Sequence, residues 1–130
     1  MGCESKVYIC NRISNNVYVY NEVIAAVDMC KIDYDNGWRD LFTKKLNGDF
    51  LGFDYDNPRN QDWENTEILD AYDEPMTYAD IDTVKEWVNK QIKNGDDYRR
   101  LFILKAALDS FDKAQWESDR AKLIVAHYGY

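Results

Sequence analysis

The chain has 130 residues, 45% of them hydrophobic and 15% aromatic, with 6 glycines and 2 prolines. That is the length of one domain, long enough to bury roughly two-thirds of the surface an unfolded chain exposes, and the low Gly and Pro content excludes collagen-like and low-complexity architectures. A formal net charge of −8 argues against a conventional nucleic-acid binder, which carries a basic footprint, and no apolar run approaches the roughly 18 residues of a membrane-spanning helix.

Cys3, Cys10 and Cys30 form an odd, sparse set with no CxxC pair, so a disulfide scaffold is not expected. The first residues lack a charged-then-apolar leader. Met1-Gly2-Cys3-Glu4-Ser5-Lys6 approaches an N-myristoylation start, but Lys6 stands where that pattern wants Ser or Thr. The expected compartment is the cytoplasm, with reduced thiols. His127 is the sole histidine. It is expected at a helix end, where a cation is favourable, rather than as a catalytic base. One histidine with scattered cysteines cannot furnish a standard zinc site without carboxylates, so no cofactor or metal is expected.

In chain order, Lys6–Cys10 (KVYIC) and Val17–Tyr20 (VYVY) are β-branched and aromatic, and the turn-rich Asn11–Asn16 between them predicts a β-hairpin. Asn21 predicts the cap of a helix over residues 22–32, where Val23, Val27 and Cys30 recur at helical spacing. The alternative is a helix that starts at Asn16 and includes VYVY. Asp33–Gly37 reads as a turn. Trp38, Leu41, Phe42 and Lys45 or Leu46 predict a short amphipathic helix that Asn47-Gly48 stops. Phe50–Tyr55 reads as a strand closed by Asn57-Pro58, and from Arg59 to Glu74 there is no period of either kind.

Thr77 predicts a helix cap with Asp80 three residues into the helix, followed by the stripe Ile81, Val84, Val88 and Ile92 and a stop at Asn94-Gly95. Asp96 predicts the cap of another helix, carrying Leu101, Phe102, Leu104, Leu108 and Phe111 and breaking near Asp109–Asp112. A last helix is expected through Trp116, Leu123 and Ile124 to about Ala126. The expected fold is a single α+β domain over residues 1–130. It has an N-terminal β-hairpin with short helices, an acidic irregular middle segment, and a C-terminal helical hairpin or small bundle.

The charge is unevenly placed. Residues 1–48 balance six acids with six bases, and residues 83–130 set seven acids against nine bases. Residues 49–82 hold eleven acids against Arg59 alone, a net of −10. Disordered acidic tails lack aromatics, whereas Phe50, Phe53, Tyr55, Trp63, Tyr72 and Tyr78 are threaded among these carboxylates. Rigid aromatic anchors within a charged surface are what interface hot spots are made of. B-DNA presents one charge per ~1.7 Å of axis, so ten charges match roughly five base pairs. A chain of this length has a radius of gyration of ~14 Å, so one face can display the whole set.

These features predict a non-enzymatic acidic inhibitor or interaction protein. Its negative face would occupy the basic, nucleic-acid-binding groove of a partner such as a nuclease, the physical logic of antirestriction, anti-CRISPR and nuclease-immunity proteins. Direct nucleic-acid or membrane binding is not expected. The candidate partner-binding residues are Asp54, Asp56, Asp62, Trp63, Glu64, Glu67, Asp70, Tyr72, Asp73 and Glu74. The alternative is a small accessory domain that binds another protein without mimicry. A carboxylate- or divalent-metal-dependent enzyme ranks third. The EF-hand pattern fails at Asp33, whose fifth, sixth and twelfth positions are Gly37, Trp38 and Lys44, and at Asp54, where Pro58 and Arg59 fill the fifth and sixth. No nucleotide-binding or nucleophile-elbow motif is present.

Overall fold

A computed structural model describes residues 5–15, 18–29, 37–51, 68–70, 72, 74–96 and 98–129. The chain is predominantly β. Six strands form one curled sheet: β1 (Ser5–Ser14), β2 (Val19–Asp28), β3 (Lys44–Lys45), β4 (Asp49–Leu51), β5 (Thr77–Asp80) and β6 (Ala121–Gly129). Among the described residues three short helices accompany it: α1 (Ile81–Lys93), α2 (Arg99–Asp109) and the single turn α3 (Lys113–Trp116). The strand order is β3-β5-β6-β1-β2-β4, antiparallel except for the parallel pair β2 and β4. Among the described residues no helix is long and apolar enough to cross a membrane.

The first and last strands lie side by side in the middle of the sheet. They pair from Ser5↔Gly129 to Ile13↔Ala121. Both faces of this pair are covered, which is why Val7–Cys10 and Leu123–Ala126 are unbroken apolar runs. Val7, Ile9, Leu123 and Val125 face a large cluster with Trp38, Phe42 and the inner stripes of α1 and α2. Tyr8, Cys10, Ile124 and Ala126 face a smaller one with Leu46, Phe50, Ile68 and Met76. Ile81, Val84 and Val88 on α1 and Leu101, Leu104 and Leu108 on α2 supply the helical side. Each such leucine is worth roughly 2 kcal/mol of burial.

The expected α+β arrangement is therefore overturned: strands predominate, in one curled sheet, and the helices are short. The segment expected to be the last helix is α3, capped by the Asp112 carboxylate on Ala114 N–H, followed by the central strand β6. Among the described residues no helical bundle forms; α1 and α2 make a hairpin that covers one sheet face. The helix expected over 22–32 is strand β2 as far as Asp28. A bulge explains the false helical period. The register passes from Ile9↔Ala25 to Cys10↔Val23, so Ile24 is extra. Val27 and Ala25 then face the large cluster and Val23 the small one. The N-terminal hairpin is real but longer than expected.

Other boundaries shift for local reasons. Thr77–Asp80 extends β5 along β6, so α1 begins only at Ile81. Asp80 occupies the cap position, yet its carboxylate turns to Lys44 Nζ at 3.5 Å instead of capping. The helix expected at Trp38–Leu46 is a 3-10 turn, Arg39–Leu41, followed by β3. The predicted strand at Phe50–Tyr55 is present as β4 to Leu51; the rest lies outside the described residues. Phe102, assigned to the α2 stripe, points outward and is 47% exposed.

Gly48 has φ +91° and lies against the backbone of Val19. A Cβ there would run into the Val19 carbonyl as well as forcing a left-handed residue. Gly48→Ala is expected to lower unfolding free energy by about 2 kcal/mol or more in urea titrations, with β2–β4 amides losing exchange protection first.

Candidate functional site

The turn that closes the acidic segment is built from backbone. Met76 N–H donates to the Ile68 carbonyl at 2.7 Å, Asp70 N–H to the Glu74 carbonyl at 2.9 Å, and Leu69 bridges Pro75. Ile68 and Met76 are buried beside Leu46 and Phe50. The stretch 52–67 is thus entered from Phe50 and left into Ile68, both packed on the same sheet face. Of the candidate partner-binding residues, Asp54, Asp56, Asp62, Trp63, Glu64, Glu67 and Asp73 lie outside the described residues. Asp70, Tyr72 and Glu74 are described, and the structure brings them together.

These three line a cavity of about 450 Å³ with Arg39, Thr77 and His127. Strand pairing sets one wall, since Thr77 lies opposite His127. The 3-10 turn supplies Arg39. Asp70 is the fastener. Its Oδ1 accepts from Tyr72 N–H at 2.8 Å and Glu74 N–H at 3.1 Å, and its Oδ2 accepts from Gly129 N–H at 3.2 Å. The carboxylate therefore ties the acidic turn to the end of β6. Tyr72 and Glu74 remain exposed at the rim.

His127 is not at a helix end. It sits on β6, 8% exposed, with its ring stacked on Phe42 at 5.0 Å and edge-on to Trp38 at 6.1 Å. The usable signal was the run Leu123–Ala126, whose lack of any period marks a strand buried on both faces and carries His127 with it. Arg39 and Thr77 have no sequence signal that links them to this cavity.

Two other described acids of residues 49–82 make ion pairs. Asp80 pairs with Lys44, and Asp82 pairs with Lys113 at 2.5 Å. The hydrogen bonds that the Lys113 ammonium donates to Asp82 and then to Glu117 push it above its ordinary range. Both pairs are exposed and contribute little stability. Among the described residues no three His, Cys, Asp or Glu side chains come together as a metal site.

Cys10 is the described cysteine, and it is buried. Burial pushes its thiol up to about 12, with Arg12 nearby pulling in the opposite direction. A buried neutral thiol is a packing group and not a nucleophile.

Two outcomes follow from this chemistry. Asp70→Ala is expected to cost about 2 kcal/mol, since three backbone donors lose a charged acceptor, and Asp70→Asn less; chemical denaturation measures both. The Cys10 thiol is protonated in the folded chain while the unfolded thiol ionises near 9.0. Its contribution is therefore complete below pH 9 and lost as pH rises toward 12, with a slope of at most about 1.4 kcal/mol per unit, and Cys10→Ala flattens that limb. No protein-family model, curated protein or solved structure matches the chain, so its function has to be read from its own residues.

Proposed function

We propose that the chain is a cytoplasmic, non-catalytic interaction protein. Its negative, aromatic-studded segment 49–82 occupies the basic groove of a nucleic-acid-binding partner, a nuclease or an enzyme like it, in place of nucleic acid. The observation that carries this reading is the concentration of charge. Residues 49–82 carry a net of −10, and two of their residues, Phe50 and Ile68, pack on one face of the sheet. Like charge concentrated in one segment sets up a field that attracts a basic surface. A groove lined with Lys and Arg is steered onto such a surface, and the encounter weakens as salt screens it. Tyr72 at the cavity rim and Trp63 in the same segment supply aromatic anchors.

A second reading has its own support. Phe102 and Ile103 are 47% and 58% exposed on α2, away from the acidic segment in sequence. An accessory domain that binds a non-nucleic-acid protein through these apolar side chains would use them as its contact.

The two readings separate in one experiment. The chain is used as bait in a low-salt native lysate, and the captured partner is then bound under increasing salt. Mimicry predicts a nucleic-acid enzyme, release as salt rises, and competition by nucleic acid. Converting Asp54, Asp62, Glu64 and Glu67 to Lys, with circular dichroism unchanged, is expected to weaken binding by roughly a hundredfold. Salt-insensitive binding that survives the four reversals and is lost on Phe102→Ala with Ile103→Ala would replace mimicry with the second reading.

A further inference from the structure

A second cavity, about 280 Å³, opens near the other end of the sheet, on the face that carries Cys10 and Ile124. Directly opposed residues in an antiparallel pair point the same way. The register Arg12↔Lys122, Lys44↔Tyr78 and Asp80↔Ile124, with side chains alternating along each strand, therefore puts all six on this one face. Ser14, Ser118 and Arg120 complete the wall. Four cations thus line the cavity against Asp80 and Asp119, in a chain whose net charge is −8.

The pairing within the cavity is uneven. Lys44 has Asp80 at 3.5 Å. Arg12 has no carboxylate among the described residues. Its Nη1 donates to Asn21 Oδ1 at 2.8 Å and to the Asn47 carbonyl at 3.0 Å, and its Nη2 donates to Asn47 Oδ1. Three of the five guanidinium donors are used in this way, all on neutral oxygens, which leaves two. The guanidinium also lies over the Tyr78 ring, 4.9 Å from its centroid, and Lys44 Nζ is 5.7 Å from the same centroid. The side chains of Arg120 and Lys122 make no ion pair among the described residues.

Lys122 stands directly across from Arg12, and like charges directly opposed on a sheet are destabilising. In a chain with 24 acids and 16 bases, carboxylate partners are in surplus. Unspent cations gathered in a concavity are then best explained by an anion from outside. A planar fork, an ammonium group and two serine hydroxyls match the oxygens of a phosphoryl group, and the two surplus positive charges match a dianion. The volume falls just below that of sites for drug-sized ligands, roughly 300 Å³ and above, so the ligand is small.

We propose that this cavity, built on Arg12, Arg120 and Lys122 with Ser14 and Ser118, binds the phosphoryl dianion of a phosphate monoester or of inorganic phosphate. The proposal is independent of the acidic segment's role. It is tested on the isotopically labelled full chain by following backbone amide shifts during titration with inorganic phosphate and with phosphoserine, against chloride at matched ionic strength. Saturable shifts in the millimolar range or below at Ser14, Arg120 and Lys122, absent with chloride, are the expected result. Tighter binding of phosphoserine identifies a phosphorylated side chain as the source, and tighter binding of inorganic phosphate identifies the free ion. Arg120 and Lys122 are exposed, so Arg120→Gln with Lys122→Gln leaves the core intact and is expected to weaken binding by about tenfold or more. Four results would overturn the assignment: no saturable shifts, shifts confined to other residues, unchanged affinity in the double variant, or tighter binding of a single-stranded oligonucleotide through the same amides.

Discussion

The pairing of β1 with β6 holds the molecule together. Nine consecutive register partners join the two ends of the described chain, from Ser5↔Gly129 to Ile13↔Ala121. Every other layer is defined by this pair. The α1–α2 hairpin packs on the side of Val7, Ile9, Leu123 and Val125, and Leu46, Phe50, Ile68 and Met76 cover the side of Tyr8, Cys10, Ile124 and Ala126. The central strands cannot be buried on both faces until the last residues arrive. Loop-closure entropy is therefore spent before the core repays it, which is the topology of a slow folder.

The same pair organises the polar chemistry. At one end, β6 presents His127 and the Gly129 N–H to the acidic turn, and Asp70 locks that turn in place. Toward the other end, β6 presents Lys122 beside Arg12 of β1, and a cation-lined hollow results. Two sites of opposite character thus share one rigid sheet at a separation set by strand length. An acidic chain that keeps a basic hollow has placed its charges locally, and its net charge describes neither site.

Several elements were legible because they depend only on near neighbours. The stop at Asn94-Gly95 follows from a left-handed Gly95, and the break after Asp109 from turn-forming residues followed by the Asp112 cap. The α1 stripe of Ile81, Val84 and Val88 needs nothing beyond helical spacing. The strands β2 and β6 were misread for a shared reason. Alternation, the signature of a strand, vanishes when both faces are buried, as in Leu123–Ala126, and is scrambled when a bulge inserts Ile24. The acidic turn was legible as charge, but its partners were not. Arg39, Thr77 and His127 come from three distant parts of the chain.

Taken alone, the amino-acid order determined the uneven charge, the aromatic anchors among the carboxylates, the two C-terminal helices and the N-terminal hairpin. All of these arise from composition or from contacts a few residues apart. Tertiary structure decided that residues 121–129 form a central strand, that the Asp70 carboxylate ties the acidic turn to the end of β6, and that Arg12 and Lys122 face each other. Those outcomes depend on which strand lies beside which, and strand neighbours far apart in the chain are chosen by the burial of the whole sheet.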